Sequence, residues 1–128
     1  MCHDGNGRYL LNKRSVNCRD EHGRWDIGGG GIEFGDTIED TLKKELEEEF
    51  GCSVLEFSTL GTREIHREHE GKKTHWVSFD HKVLINPEEV ENREPHKFDD
   101  LGWFKLDEFP EPMHSQWPIF FEKYKDSL

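Results

Sequence analysis

Three glutamates, Glu45, Glu48 and Glu49, fall within a segment predicted to form a helix from about 37 to 50. On a helical wheel that advances about 100° per residue, Glu49 lies about 40° and Glu48 about 60° from Glu45. The three carboxylates therefore share one side of the helix, where they repel one another and oppose the helix dipole. Clustered carboxylates on a rigid helix suit Mg²⁺, a hard cation that takes oxygen ligands and shares them with phosphates.

This acidic cluster also lies beside the helix face that should be buried. On the same wheel, with Glu45 at zero, Ile38 and Leu42 fall at about 20° and 60°, whereas Glu47 falls at about 200° and faces solvent. A solvated acidic face explains Glu47 but not the three acids beside the apolar stripe. Like charges placed together beside an apolar stripe are locally unfavourable, and such unfavourable placements are expected at functional sites.

A glycine-rich segment precedes the helix. Trp25–Gly35 contains five glycines in eleven residues, and backbone without a Cβ can come close to a ligand. Asp36 or Thr37 is expected to cap the helix, and Gly51 stands where a helix stop is expected. We therefore expect the loop and the acidic helix to form one site.

The elements that must position this site are predicted from apolar periodicity and turn residues. We expect a first strand at Arg8–Asn12 and a polar loop at Lys13–Arg24. Further strands are expected at Val54–Arg67, Thr74–Ile85 and Trp103–Leu106, with a hairpin turn at 70–72 and a C-terminal helix that begins near Ser115 and has Pro118 in its first turn. On the second long strand, one face should carry Val77, Phe79, His81, Val83 and Ile85. These elements indicate an α/β or α+β fold.

The composition indicates one globular domain over residues 1–128. The chain is 32% hydrophobic and 35% charged, with a mean hydropathy of -0.94. Nine Phe, four Trp and two Tyr are more aromatic residues than a disordered chain carries. The formal net charge of -11 argues against a nucleic-acid polymer or an anionic membrane as partner.

Other features point to the cytoplasm. No apolar run approaches the roughly 20 residues of a membrane span, and no signal-like stretch begins the chain. The three cysteines, Cys2, Cys18 and Cys52, are an odd and widely spaced set, which does not indicate a disulfide framework. We therefore expect a protein of a reducing compartment.

The segment from Gly30 to Cys52 resembles the Nudix box, whose pattern is G-x5-E-x7-R-E-U-x-E-E-x-G-U with U aliphatic. Gly30 is followed by five residues, Asp36, seven residues and Lys44-Glu45-Leu46-Glu47-Glu48-Glu49-Phe50-Gly51-Cys52. Trp25 and Gly29-Gly30 resemble the family's W-x-x-P-G-G lead-in, and Trp103-Phe104 resembles its late strand. The resemblance implies a Nudix α/β/α sandwich with a mixed sheet.

The chain departs from the family pattern at a few positions. Asp36 replaces the first box Glu and Lys44 the box Arg, two positions that in the family are mainly structural and tie the loop to the helix. Gly28 replaces the usual Pro. Only residues 1–3 precede the turn at 4–7, where the family has a full strand, so either a short edge strand or a chain that starts late is expected.

The resemblance implies roles for individual residues. Glu45, Glu48 and Glu49 are expected to ligate Mg²⁺, or Mn²⁺, with the Gly29 carbonyl completing the shell. One metal-bound water is then the nucleophile. The base differs within the family, which leaves open Glu48 or Glu49 on the helix and Glu94, with Asp100 behind it, on a later loop.

Substrate contacts are less specific in the sequence. Lys13 and Arg14 are candidate phosphate contacts together with the Gly30 backbone, although surface charge on a loop is the simpler explanation of both cations. Candidate stacking residues for a base are Trp25, Phe79 and Trp117, which core packing also explains. A transition-metal site is a further alternative, formed by His66, His69 and His75 or by Cys18 and His22.

The function implied by the resemblance is hydrolysis of a nucleoside diphosphate linked to another moiety. Ile32–Thr37, Glu94–Lys97 and His75–Val77 resemble the nucleoside-triphosphate diphosphatases of the dihydroneopterin-triphosphate and modified-nucleotide group. A triphosphate cleaved to monophosphate and pyrophosphate is therefore the first expectation. The alternatives are an ADP-ribose or nucleotide-sugar pyrophosphatase and a non-catalytic nucleotide sensor. A monomer or a homodimer is expected.

Overall fold

A mixed six-stranded sheet with a helix on each face forms the fold in a computed structural model that describes residues 1–128. The strands are β1 Cys2–His3, β2 Arg8–Arg14, β3 Trp25–Asp26, β4 Val54–His69, β5 Lys72–Ile85 and β6 Phe98–Lys105, and the helices are α1 Ile38–Phe50 and α2 Trp117–Tyr124. Short 3-10 helices cover Pro87–Glu89, Leu106–Glu108 and Lys125–Ser127. Neither α-helix is long and apolar enough to cross a membrane.

Strand β2 organises the sheet because it has neighbours along both edges. Strand β6 pairs with it antiparallel along one edge, from Arg8 to Arg14. The other edge is shared by β1, near Tyr9, and β3, near Lys13. Strand β1 continues the sheet by pairing parallel to β5, and β5 pairs antiparallel to the edge strand β4.

Helix α1 covers one face of this sheet. Its Leu46 and Phe50 are buried, and Phe50 stacks on Phe98 of β6 with ring centroids 5.8 Å apart. The core between helix and sheet also includes one residue from β1, one from β2, two from β5 and the cysteine after the helix: Cys2, Leu10, Val83, Ile85 and Cys52. Burial of these apolar side chains fixes the helix against the centre of the sheet.

The opposite face is joined to α2 by a buried ion pair. Arg63 of β4 donates from Nε and Nη2 to Asp80 of β5, at 2.6 and 3.0 Å. The hydroxyls of Ser78 and Tyr124 donate to the same carboxylate at 2.7 and 2.8 Å. Burial alone would raise the pKa of Asp80, but these donors hold the pKa below its usual value. Gly61 leaves room for the Tyr124 ring, because a Cβ there would lie 3.0 Å from the phenol oxygen.

The predicted α/β/α sandwich with a mixed sheet is confirmed, with differences in several elements. Strand β2 continues through Arg14 into the expected loop, and the predicted loop at Trp25 begins with the short strand β3. The last strand is longer than predicted, 98–105, because it pairs along the whole of β2. Strand β1 is short, yet the expectation of an edge strand is wrong, because β1 lies between β2 and β5.

The face expected on β5 is buried only in part. His81, Val83 and Ile85 are buried, whereas Val77 is 56% and Phe79 48% exposed. The difference arises because the β4–β5 hairpin extends beyond the part of the sheet that the helices cover. The alternation of side chains along a strand does not predict how far a helix covers that strand.

Replacement of Asp80 by Asn should destabilise the fold strongly. The variant leaves the buried Arg63 guanidinium without its counter-charge, which costs about 3–5 kcal/mol of the free energy of unfolding. Because the folded pKa of Asp80 is lowered, its contribution is present above the ordinary value of 3.8 and is lost as the pH falls through the folded value. Urea denaturation at several pH values measures both effects, and the gap between wild type and D80N should narrow in acid.

A control for this variant is Glu122→Gln, which removes an exposed carboxylate on α2 that pairs only with Lys125. Its free energy of unfolding should stay within about 0.5 kcal/mol of the wild type. If D80N were as stable as E122Q at neutral pH, the buried pair would not hold α2 to the sheet.

Candidate active site

Helix α1 has well-defined ends. The Thr37 hydroxyl accepts from the Asp40 backbone N–H, and the Asp40 carboxylate accepts from that of Thr37, both at 3.1 Å. Thr37 rather than Asp36 is therefore the N-cap, in a reciprocal capping box. At the other end Gly51 adopts φ 65° and its N–H returns to the Glu47 carbonyl. These caps fix where the helix begins and ends, and so where its glutamates lie.

Lys44 holds the glycine-rich loop against the helix. Its Nζ lies 2.8 Å from Asp36 Oδ2 and 3.0 Å from Glu33 Oε2. Hydrogen bonds to Asp36 and then Glu33 raise the pKa of Lys44. The charge-conserving pair at these two positions thus makes the loop-to-helix contact that the resemblance assigns to them.

Gly30 is the loop residue in closest contact with the acidic cluster. A Cβ at this position would overlap the Glu45 carboxyl group, whereas a Cβ at Gly29 or Gly31 would meet no atom within 4 Å. Glycine at position 30 therefore allows the backbone to pack against Glu45.

Glu45 and Glu49 form a coupled pair of carboxyl groups. Glu49 is 6% exposed; burial and then the charge of Glu45 raise its pKa to about 8. The pKa of Glu45 is raised as well, by burial and by the charge of Glu48, while a hydrogen bond with Glu49 opposes the shift. Near neutral pH the pair therefore holds a proton on Glu49.

Glu94 and Lys97 lie close enough to act on this pair. The negative charge of Glu94 raises the pKa of Glu45 and Glu49, and the positive charge of Lys97 lowers both. Lys97 Nζ lies 3.0 Å from Glu94 Oε2, and the Glu94 carbonyl accepts from the Lys97 backbone N–H at 2.9 Å. The structure thus brings the loop carboxylate to the helix carboxylates. Lys97 was not among the site residues predicted from the sequence, although it belongs to the stretch Glu94–Lys97 that resembles the triphosphate diphosphatases.

Glu48 and Glu47 are both exposed on the helix. Glu47 pairs with Arg93, with 2.7 Å between Oε1 and Nη1, so the solvent-facing residue has its own partner. No group of three or more His, Cys, Asp or Glu side chains is arranged so that it could hold a metal ion. The donor set nevertheless fits a hard cation, because burial and then a neighbouring glutamate charge raise the pKa of both Glu45 and Glu49, and a bound cation would offset both effects.

The candidate phosphate contacts lie at the end of β2. Lys13 pairs in the sheet with Trp25 and Asp100. Arg14 is largely engaged inside the protein, because its guanidinium lies 3.3 Å from Asp20 and 3.4 Å from Asp26. Asp100, the second candidate base, is exposed on β6 opposite Lys13.

The candidate stacking residues separate into two groups. Trp25 packs edge-on against Phe104, and Trp117 packs among Phe109 and its neighbours on α2. Both therefore contribute to packing. Phe79 is the exposed member of the set.

The two alternative transition-metal groupings are not assembled as sets. The Cys18 thiol donates to the Lys97 carbonyl, and His22 contacts the Cys18 carbonyl rather than the thiol. His66 and His75 stack with ring centroids 4.2 Å apart, whereas His69 lies opposite Lys72 at the hairpin end.

The chain belongs to the Nudix hydrolase family. Its residues 1–123 match the family model of the NUDIX domain, as the box predicted. The mouse oxidized purine nucleoside triphosphate hydrolase is 37% identical over 116 residues, which cover 80% of this chain and 66% of the mouse protein. The nucleoside triphosphatase NudI of Enterobacter sp. (strain 638) is 44% identical over 46 residues, 36% of this chain and 33% of NudI. The chain thus matches less than two thirds of either relative's length.

Solved structures confirm the fold and its MutT-like character. The MutT NUDIX hydrolase of Burkholderia pseudomallei superposes with a TM-score of 0.74 at 29% identity, over 92% of this chain and 88% of that one. The MutT protein of Methanosarcina mazei Go1 superposes with a TM-score of 0.72 at 20% identity, over 98% and 88% of the two chains.

Replacement of Glu49 by Gln should make the metal-free protein more stable at alkaline pH. The folded wild type retains a proton on Glu49 up to about pH 8, whereas the unfolded chain releases it near the ordinary value of 4.5. Stability of the wild type therefore falls as the pH rises between these values, by an order of a few kcal/mol in total. E49Q has no carboxyl group at this position, so its stability should not fall with pH for this reason.

Thermal melts in a chelating buffer from pH 5 to pH 9 measure the difference. The advantage of E49Q should grow with pH, while Glu47→Gln should follow the wild type throughout. If the melting temperatures of E49Q and the wild type changed with pH in parallel, Glu49 would have an ordinary pKa.

Proposed function

We propose that the chain is a Mg²⁺-dependent hydrolase that cleaves a nucleoside triphosphate to the monophosphate and pyrophosphate. The observation that carries the proposal is the coupled pair Glu45–Glu49, packed against Gly30 and faced by Glu94 and Lys97. The mouse relative is an oxidized purine nucleoside triphosphate hydrolase and NudI is a nucleoside triphosphatase, which supports the choice of substrate.

The residues that would hold Mg²⁺ are Glu45, Glu48 and Glu49, with the Gly29 carbonyl as a further oxygen donor. When bound, the cation neutralises diphosphate charge and lowers the pKa of a water ligand. Glu45 and Glu49 are pre-positioned for this by α1 and Gly30, and Glu48 adds a carboxylate one turn away on the exposed side of the cluster.

Glu94 is the proposed base. Its side chain is half-buried and its charge acts on both Glu45 and Glu49, which supports a role in accepting a proton from the attacking water. The water oxygen forms a bond to phosphorus as the bridging anhydride P–O bond breaks, and pyrophosphate leaves with the electron pair of that bond. Lys97, paired with Glu94 through Oε2, orients the base and balances the surplus negative charge.

Lys13 and the Gly30 backbone are the proposed contacts to substrate phosphates. Arg14 serves the same site, although its ion pairs to Asp20 and Asp26 also hold the loop that follows β2. We place the protein in the cytoplasm, as a monomer or homodimer with a small nucleotide as its partner. All three cysteines are free thiols, in accord with a reducing compartment.

A phosphate-release panel with Mg²⁺ tests the proposal. It pairs nucleoside and deoxynucleoside triphosphates, oxidised dGTP, ADP-ribose and nucleotide sugars with a coupled pyrophosphatase or phosphatase. The expected result is preference for a triphosphate, with pyrophosphate as the released product.

Two other outcomes distinguish the alternatives. Preference for ADP-ribose or a nucleotide sugar would retain the carboxylate site and overturn the triphosphate assignment. No turnover on the panel, with nucleotide binding still visible by thermal shift, would overturn the enzyme and favour a nucleotide sensor.

Replacement of Glu48 by Gln should lower kcat/KM by about 10²–10³-fold, the scale of losing one electrostatic contact to the transition state. The matched control is Glu47→Gln, one residue earlier on the helix, whose exposed ion pair with Arg93 has little energetic value. Steady-state kinetics on the preferred triphosphate measure both variants. Equal losses at 47 and 48 would contradict the assignment.

Replacement of Gly30 by Ala should impair catalysis more than folding. The new Cβ displaces the Glu45 carboxyl group, the flexible end of a side chain, so the site changes while the core does not. Gly31→Ala is the control because nothing lies within 4 Å of its Cβ. Melting temperatures close to the wild type for both variants, with turnover lost only in G30A, are expected; equal turnover in the two variants would contradict the packing role of Gly30.

A further inference from the structure

Two histidines occupy directly opposed positions on the long hairpin, away from the acidic helix. His66 of β4 is the register partner of His75 of β5, in a stretch without a bulge between 61 and 69. Opposed residues on antiparallel strands have Cβ atoms about 4.5–5.5 Å apart. The two imidazole rings stack at 4.2 Å between centroids with 24° between their planes.

Charged residues of both signs flank this pair, with Glu64 and Glu68 on β4 and Lys73, the register partner of Glu68, on β5. Glu64 Oε1 lies 3.3 Å from His75 Nε2. Because side chains alternate along a strand, Glu64 and Glu68 lie on the same face as His66 and on either side of it. The pair is exposed to solvent, with 51% of the His75 side chain accessible, on a chain of net charge -11 that attracts cations.

We propose that His66 and His75 form a cross-strand binding site for a borderline transition metal such as Zn²⁺. One nitrogen of each ring would coordinate the ion at about 2.0–2.1 Å, which places the two nitrogens about 3.3 Å apart around a tetrahedral centre. The rings stack in the metal-free protein, so both side chains would rotate for one nitrogen of each ring to face a common ion. Water completes the coordination, since the hairpin supplies two imidazoles.

Glu64 is the orienting partner in this site. A carboxylate that holds one nitrogen of a coordinating imidazole fixes the ring and leaves its other nitrogen for the metal. His75 already has this contact through Nε2, so its Nδ1 is the coordinating atom. Imidazole nitrogen prefers Zn²⁺, Cu²⁺ or Ni²⁺ over Mg²⁺, whereas carboxylates prefer Mg²⁺, so the hairpin and the acidic helix select different ions.

Metal binding at this site would link two strands that are otherwise held by backbone pairing. Strand β4 is the edge of the sheet, and the end of the hairpin lies beyond the helices. A ligand that binds only the folded hairpin stabilises it by linkage. Metal binding at the hairpin does not depend on hydrolysis, so it can be tested by measuring binding rather than turnover.

Titration of Zn²⁺ into the full chain with Mg²⁺ in excess tests the site. Histidine ring signals in ¹H–¹³C NMR spectra report which imidazoles bind, and isothermal calorimetry reports the affinity. The signals of His66 and His75 should shift together at one equivalent of Zn²⁺. Shifts confined to other histidines, or no saturable shift, would overturn the proposal.

Matched variants on the same hairpin complete the test. His66→Gln and His75→Gln should each lose more affinity than the roughly 10–100-fold that is typical for an outer partner, and Glu64→Gln should lose affinity within that range. His69→Gln removes an exposed histidine opposite Lys72 and should bind Zn²⁺ as the wild type does. Far-UV circular dichroism confirms folding of each variant. Equal affinity in H66Q and H69Q would overturn the cross-strand site.

Discussion

The repulsion between two carboxyl groups that the fold holds together is the constraint on which the site depends. Glu45 and Glu49 follow one another by one helical turn, and the Gly30 backbone closes over the first while burial covers the second. In the absence of a cation, burial and then the charge of Glu45 raise the pKa of Glu49 to about 8, so the pair retains a proton near neutral pH. A divalent cation would neutralise the carboxylate charge in place of that proton. Proton and metal would therefore compete for the same oxygens.

The rest of the molecule supplies the rigidity that this arrangement requires. The capping box and Gly51 set the ends of α1, and the Lys44 ion pair to Asp36 fixes the loop that carries Gly30. On the opposite face of the sheet, the buried pair of Arg63 and Asp80 secures α2. The unfavourable electrostatics at the acidic cluster are therefore offset by packing and ion pairs in other parts of the fold.

Local signals in the sequence were sufficient for α1, its caps and the loop, because capping, helical period and glycine runs act over a few residues. Features that depend on pairing between distant segments of the chain could not be predicted from the sequence. The link of Asp80 to Arg63 depends on the register of β4 with β5, which shifts at a bulge between Thr59 and Gly61. Lys97 reaches the helix pair only through the fold, and the exposure of Val77 and Phe79 depends on where the helices end. Roles assigned to Glu48, Gly29 and Lys13 stay predictions.

We infer that Glu45 and Glu49 share a proton that a bound divalent cation would displace. The most direct measurement is an NMR titration of the side-chain carboxyl carbon of Glu49, with and without Mg²⁺. We expect a pKa of about 8 without the cation and a value below the ordinary 4.5 when Mg²⁺ is saturating. An ordinary pKa in metal-free protein, or a raised one that Mg²⁺ leaves unchanged, would contradict it.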